Sequence, residues 1–236
     1  MLTLDRMGER FAFENNWDLL IPFSMTRYNG EELSATAIPK ISRIARGFLD
    51  RFDENPFSDE ALGWIWSRIA PKQEEWGYSG GKYRWRRCRI FRCRSIDALS
   101  DALPETVLLD SAASYENLTT YRLDDTLDAG CLCAATLLDG RVASVAVTHD
   151  SLEDLSSGDV VELGVETAPA ARGRGFASSS LSLATRELLN RGMIPEYRCT
   201  KSNRASAAVA LRVGYEEVGE ACYLLMRRTI PERKDR

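Results

Sequence analysis

The sequence predicts a mixed α/β fold, and three observations predict it. Past residue 130, short apolar runs alternate with helical patterns in the order hairpin, strand, helix, strand, helix, strand. The dipeptide Asp139-Gly140 parts two apolar runs, Cys131 to Leu138 and Arg141 to Thr148, and such a dipeptide is the strongest short hairpin signal. Gly192 and Gly214 each close a helical segment, and a strand-like run follows each.

Residues 1–80 read as mainly helical. After Pro39 the apolar positions Ile41, Ile44, Ala45, Phe48, Leu49 and Phe52 line one helical face, and Asn55-Pro56 ends the helix. A second helix starts after Ser58, carries Leu62, Trp64, Ile65 and Ile69, and stops at Pro71. Gly77 to Gly81 reads as a turn. Lys82 to Arg94 then holds seven cations in thirteen residues with apolar residues between them, which reads as a basic strand. An anion-binding ribbon is one meaning of that run, but charge runs are more often solvated faces. Thr106 to Leu109 is a short strand, and Val160 to Thr167 is another. A helix runs from about Gly173 to Arg191, a strand from Pro195 to Thr200, a helix from about Asn203 to Val213, and a strand from Cys222 to Met226. The expected domains are an N-terminal region over 1–104 and a second domain over 105–236.

Composition narrows the function classes. The chain has 236 residues, 44% of them hydrophobic, and a formal net charge of −4. A core is affordable without disulfides or metal, and the acidic balance speaks against a nucleic-acid binder and suits a cationic amine. Charges interrupt the N-terminus early and no apolar run reaches the roughly 18 residues of a membrane span, so no membrane association and a cytoplasmic location are expected. The six cysteines, at 88, 93, 131, 133, 199 and 222, lack the spacing of a zinc site and read as buried small hydrophobes; no metal is expected. His149 is the one histidine, and no motif couples it to Cys199 as a nucleophilic pair.

The chemistry concentrates in Val160 to Ala177: an apolar strand, a short loop, a glycine-rich turn and a helix start. Gly173 and Gly175 permit positive φ or close ligand approach. The first N–H groups of a helix lack internal partners and favour an anion, and Arg172 and Arg174 add cationic donors. The arrangement suits a diphosphate. A dinucleotide fold fits poorly: Ser178 stands where a third glycine belongs, and five residues separate Thr167 from Gly173.

Arg172-Gly-Arg-Gly175-Phe-Ala177 resembles the R-x-x-G-x-A acetyl-CoA signature of the GNAT acetyltransferases, with Pro169 three residues ahead of it. Asn203 to Tyr215, which begins with Asn and ends in Gly plus an aromatic, resembles the family's second motif. Glu162-x-Gly-Val-Glu-Thr167, taken with Cys199 and Asn203-x-x-Ser206, looks most like the zwittermicin-resistance-type branch. The resemblance covers about residues 105–236 and implies a mixed, mostly antiparallel sheet flanked by helices. It implies acetyl-CoA as cosubstrate, with Val165, Glu166 and Thr167 along the pantetheine arm and Arg172, Gly173, Arg174, Gly175, Phe176 and Ala177 around the diphosphate. Asn203 would hold the pantetheine, supported by Ser206. The implied reaction is direct attack of an amine on the thioester. A backbone N–H near Val165 would polarise the carbonyl, and Glu162 would act as general base, with Glu166 as its competitor on the same strand face. Many members carry a tyrosine acid seven residues after the asparagine; here Ala210 occupies that position, and Tyr223 or water is the substitute. A small-molecule amine is the first acceptor by analogy and a protein or peptide amine the second, with a binding-only sensor as the rival; a homodimer is allowed.

Overall fold

A computed structural model describes residues 1–4, 19–76, 83–111, 114–153 and 155–227. The fold is mixed α/β, with ten mostly antiparallel strands and flanking helices. It divides into two compact units, Met1–Cys88 with Gly219–Arg236, and Arg89–Val218. Among the described residues no helix is long and apolar enough to cross a membrane, and no group of three or more His, Cys, Asp or Glu side chains is placed to hold a metal ion.

The first unit contains β1 (Leu2–Leu4), β2 (Leu19–Tyr28), β3 (Ser34–Ala37), α1 (Ser42–Phe52) and α2 (Asp59–Ile69). It also holds most of β4 (Tyr83–Arg92) and of β10 (Glu216–Arg227). The apolar stripe read from the sequence is buried: Ile41 in the turn ahead of α1 and Ala45 and Phe48 within it are fully buried, and Phe48 meets Phe23 of β2 edge-on at 5.3 Å. Ser58 caps α2 by accepting from Ala61 N at 3.1 Å. Helices share this region with β1, β2 and β3, three strands not expected from the sequence. Pro22 hid β2. Proline lacks the N–H a ladder needs and argues against a central strand, yet β2 pairs with both β3 and β10. The register against β10 shifts between Leu224, opposite Phe23, and Met226, opposite Leu20, so Pro22 sits in a bulge. The turn expected over Gly77 to Gly81, and Lys82 of the basic run, lie outside the described residues. The rest of that run forms β4 and its continuation, with Arg87 paired to Asp59.

The second unit holds β5 (Thr106–Leu108), α3 (Leu123–Asp128), β6 (Cys133–Leu138), β7 (Arg141–Thr148), β8 (Val160–Thr167), α4 (Phe176–Asn190), β9 (Ile194–Thr200) and α5 (Arg204–Val213). Strands β5 to β8 are successive antiparallel neighbours, and β9 joins β8 in parallel. Asp139 (φ 52°) and Gly140 (φ 74°) both take left-handed backbone, the requirement of the tight turn between β6 and β7. Leu181, Ala184 and Leu188 of α4 pack against Val161 and Leu163 of β8, Tyr197 of β9, and Ala207, Ala210 and Val213 of α5. The opposite face of β8, with Glu162, Gly164 and Glu166, therefore stays away from this core.

Candidate active site

The site starts from a change in pairing along β8. β8 pairs with β7 from Leu163 to Thr167, but its pairing with β9 covers only Val160 to Leu163. His149 N donates to Glu162 O at 3.0 Å, and Ala168 N to Ala143 O at 2.9 Å. Antiparallel strands alternate the direction of their polar groups. The backbone N–H and C=O of Val165 therefore point to the β9 side, beyond the last residue paired there. A gap with outward-facing peptide groups opens between the two strands.

The chain leaves β8 through a 3₁₀ turn, Pro169–Ala171, and then reverses at Gly173 (φ 77°) and Gly175 (φ 84°). Gly175 is the N-cap of α4 and offers no side chain to the helix end. The first helical bond runs from Ser179 N to Gly175 O at 3.0 Å. The N–H groups of Phe176, Ala177 and Ser178 precede it and have no intrahelical acceptor. No acidic residue lies in this turn, so nothing opposes an anion at the positive end of the helix dipole.

Buried hydroxyls hold this helix end in place. Thr136 Oγ1 lies 2.8 Å from Ser180 Oγ and 2.9 Å from Thr106 Oγ1, and donates to Phe176 O at 3.2 Å. Ser179 Oγ accepts from Leu103 N at 2.7 Å. Ser144 Oγ donates to Glu166 O at 3.0 Å and lies 2.8 Å from Thr167 Oγ1. The serine-rich start of α4 is thus tied by polar contacts to β5, β6 and β7, which fixes its height over the sheet.

A cleft of about 540 Å³ follows. Its walls are Val165 to Thr167 of β8, the glycine turn, the first turn of α4, Tyr197 of β9, and the Asn203 side of α5. Its charged lining residues are Arg172, Arg212 and Glu166. Asn203 Oδ1 caps α5 by accepting from Ser206 N at 3.1 Å, which leaves Nδ2 as its donor toward the cleft. Ser206 Oγ lies 2.7 Å from Tyr197 Oη. Burial raises the Tyr197 phenol above its ordinary range, against the lowering effect of the Ser206 bond.

A second cleft, of about 560 Å³, lies on the β7 side and shares Glu166 with the first. Tyr121, Asp125, Cys131 and His149 line it. The segment carrying Thr120 and Tyr121 is pinned to β7 through Leu118 N to Val142 O and Val142 N to Glu116 O, each 2.9 Å. Thr120 grips the Glu166 carboxylate with its N–H and its hydroxyl, both at 2.8 Å.

Residues 130–223 match the family model of the GNAT acetyltransferases. The matched segment is similar to the GNAT acetyltransferases. The GNAT match spans β6 to β10 and contains every wall of the first cleft. A search of curated proteins finds no match. Among solved structures, a GNAT-family protein from Novosphingobium aromaticivorans is similar at 20% identity, covering 64% of this chain and 69% of that one, with a TM-score of 0.49. A GCN5-related N-acetyltransferase-like protein from Streptococcus suis is similar at 21% identity, over 69% and 68% of the two chains, also with a TM-score of 0.49. An aminoglycoside N-acetyltransferase solved in complex with CoA is 25% identical over 48% of this chain and 82% of its own, with a TM-score of 0.33.

Of the residues expected to meet the cofactor, Val165, Glu166, Thr167, Arg172, Gly173, Gly175, Phe176, Ala177, Asn203 and Ser206 line one and the same cleft, within the segment that the family model matches. Arg174 does not line it; its guanidinium lies over the Phe176 ring, 4.9 Å from the centroid. Glu162 lines neither cleft. Its carboxylate stands 3.4 Å from Arg198 Nε and 3.6 Å from His149 Nδ1. Tyr223 lies on β10 in the first unit, opposite Ser24, and lines neither cleft. Ala210 is fully buried in the core of the second unit, so that position faces away from the cleft. Tyr197, Arg212 and, in the second cleft, Thr120, Tyr121, Arg122 and Asp125 are additions of the structure. Only spatial neighbourhood marks them, because they come from separate segments with no shared spacing.

Proposed function

We propose that the chain transfers an acetyl group from acetyl-CoA to a primary amine of a small molecule, by direct attack of the amine on the thioester. One observation carries this reading: the unpartnered N–H groups of the α4 start, the two left-handed glycines and the Val165 peptide edge all face a single cleft. That donor set fits a diphosphate joined to an extended amide-bearing arm. The N–H groups of Phe176, Ala177 and Ser178 would take the diphosphate with Arg172 and Arg212, and Val165 to Thr167 would pair with the arm as a strand would. Asn203 Nδ2 would donate to an arm carbonyl, with Ser206 holding its cap. The Val165 N–H would polarise the acetyl carbonyl, as in an oxyanion hole.

The acceptor would occupy the second cleft, where Glu166 and Asp125 offer negative charge to an ammonium group. Its moderate volume favours a small molecule over a protein chain. The Glu162-x-Gly-Val-Glu-Thr167 pattern, with Cys199 and Asn203-x-x-Ser206, supports the zwittermicin-resistance-type branch. Glu162 would serve the proton-accepting side of the reaction, and the Tyr197 hydroxyl, which lines the first cleft, would protonate the departing thiolate. Ala210 in the core favours a second reading, a sensor that binds acetyl-CoA without turnover. Release of CoA thiol from acetyl-CoA across a panel of small primary amines separates the two. Transfer supports the enzyme, and tight binding without thiol release on any amine supports the sensor.

A further inference from the structure

Gly164 stands in mid-strand on β8, next to Val165. A Cβ placed there would meet His149 Nε2 at 2.7 Å and Tyr121 Oη at 2.7 Å. Both polar atoms therefore sit over the bare Cα of Gly164, no farther apart than twice that distance. The strand residue beneath them adjoins the peptide edge of the first cleft, while His149 and Tyr121 line the second. The missing side chain is what lets an imidazole approach the line between the two clefts.

The other imidazole nitrogen has a partner of its own. His149 Nδ1 lies 3.6 Å from Glu162 Oε1, an ion-pair distance longer than a hydrogen bond. The backbone bond from His149 N to Glu162 O holds the two residues in this register. Glu162 in turn faces Arg198 at 3.4 Å, and Glu196 is held by Arg198 at 2.6 Å and Arg92 at 2.8 Å. Guanidinium and carboxylate alternate along Arg92, Glu196, Arg198 and Glu162, and the row ends on His149. A carboxylate beside Nδ1 favours the tautomer with its proton there and leaves the Nε2 lone pair toward the second cleft.

We infer that His149 Nε2 takes the proton from the acceptor ammonium, and that Glu162 is the positioning residue that orients the ring. The inference rests on the acetyl-transfer reading and revises the part Glu162 plays in it. The ammonium gives one proton to Nε2, and its nitrogen lone pair becomes free. The C–N bond then forms at the thioester carbonyl carbon as the C–S bond breaks. The nitrogen's second proton passes to the thiolate, directly or through Tyr197. The imidazolium returns its proton to water, so each turnover releases one proton with the CoA thiol and the amide. The titratable groups around His149 are Glu162, which pairs with it and with Arg198; Glu166, Tyr121, Arg122, Asp125 and Cys131, which line the same cleft; and Asp150, next in the chain. Burial, with Glu166 as a second cause, raises the Tyr121 phenol, so Tyr121 keeps its proton at neutral pH and does not compete as the base.

The test uses the full chain, acetyl-CoA and two acceptor classes: primary alkylamines, protonated at pH 7, and hydroxylamine, neutral there. With alkylamines, His149→Gln should lower kcat by roughly 10²–10⁴-fold, the span of general-base catalysis, and imidazole should restore part of the rate of His149→Ala. With hydroxylamine, which needs no prior deprotonation, the loss should stay within about threefold. Glu162→Gln should give an intermediate loss, and acetyl-CoA affinity by calorimetry should match the parent in every variant. His149 is half exposed, so the substitutions leave the core untouched. Alkylamine turnover by His149→Gln near the parent value overturns the role of His149 alone. Equal losses with both acceptor classes overturn it too, because they mark a structural effect. A parent protein that binds acetyl-CoA and acetylates neither class overturns the transfer reading, and this inference falls with it.

Discussion

Gly164→Ala separates the chemistry of this site from its stability. The added methyl would lie 2.7 Å from both His149 Nε2 and Tyr121 Oη. Ordinary contact begins near 3.4 Å, so each side-chain end must retreat by about 0.7 Å. Both are ends of side chains that can swing, and the backbone of β8 need not move. Replacing glycine by alanine within a strand returns roughly 0.5–1 kcal/mol of chain entropy, which offsets much of the strain. Stability should therefore change by less than about 1 kcal/mol, a few degrees in Tm for a chain of this size. The displaced groups are the ones proposed to meet the acceptor, and a misplacement near 1 Å costs on the order of 10²-fold in rate. The expected result is a kcat lower by roughly 10–100-fold, with acetyl-CoA affinity unchanged. Thiol release, calorimetry and a thermal melt on one preparation check all three. Unchanged turnover in a folded Gly164→Ala protein would refute the placement of His149 and Tyr121 over the strand, and a parallel loss of acetyl-CoA affinity would refute the separation of the two clefts.

Thr136→Val removes the hub hydroxyl beneath α4, which contacts Thr106, Ser180 and Phe176 O; urea unfolding should show a loss of about 2–3 kcal/mol, as expected when buried partners are left unsatisfied. Five of the six cysteines are buried and Cys131 is partly exposed, while burial pushes the Cys133 thiol up to about 12; a thiol reagent should titrate one fast thiol in the native protein and all six in denaturant, and several fast thiols would contradict the packing. The bidentate Arg89 bond holds the Glu217 carboxyl below its usual range. A carboxyl whose folded pKa is depressed adds stability above its unfolded value near 4.3 and loses it as pH falls through the folded value. The stability gap between the parent and Arg89→Gln should thus be present at neutral pH, no larger than about 1 kcal/mol for so exposed a pair, and should close in acid.

Local signals made part of this molecule legible. Asp139-Gly140 gave the β6–β7 hairpin because few other dipeptides take two left-handed residues in succession. Asn203 and Gly214 bounded α5 because a cap and a left-handed terminator are local requirements. The glycine turn before α4 was legible for the same reason. The rest depends on encounters that sequence spacing does not carry. β2 was obscured by Pro22, whose tolerance rests on a bulge opposite a strand roughly 200 residues away. α3 spans six residues, too short for helical periodicity to register. The second cleft gathers Tyr121, Cys131, His149 and Glu166 from four segments. Strand parity placed Glu162 and Glu166 on one face, but it could not show that Arg198 and His149 already occupy the Glu162 carboxylate while Thr120 holds that of Glu166.

The account depends on the α4 start gripping a diphosphate, and comparing two short ligands by calorimetry tests that most directly. S-acetyl-4′-phosphopantetheine and S-acetylpantetheine share the arm and the thioester and differ only in the phosphate. Charge-assisted hydrogen bonds from this helix start are worth about 1.5–3 kcal/mol each, so the phosphorylated ligand should bind at least about tenfold more tightly. That advantage should shrink in Gly175→Glu, which sets a carboxylate at the helix end. Equal affinity of the two ligands for the parent protein would contradict the central claim.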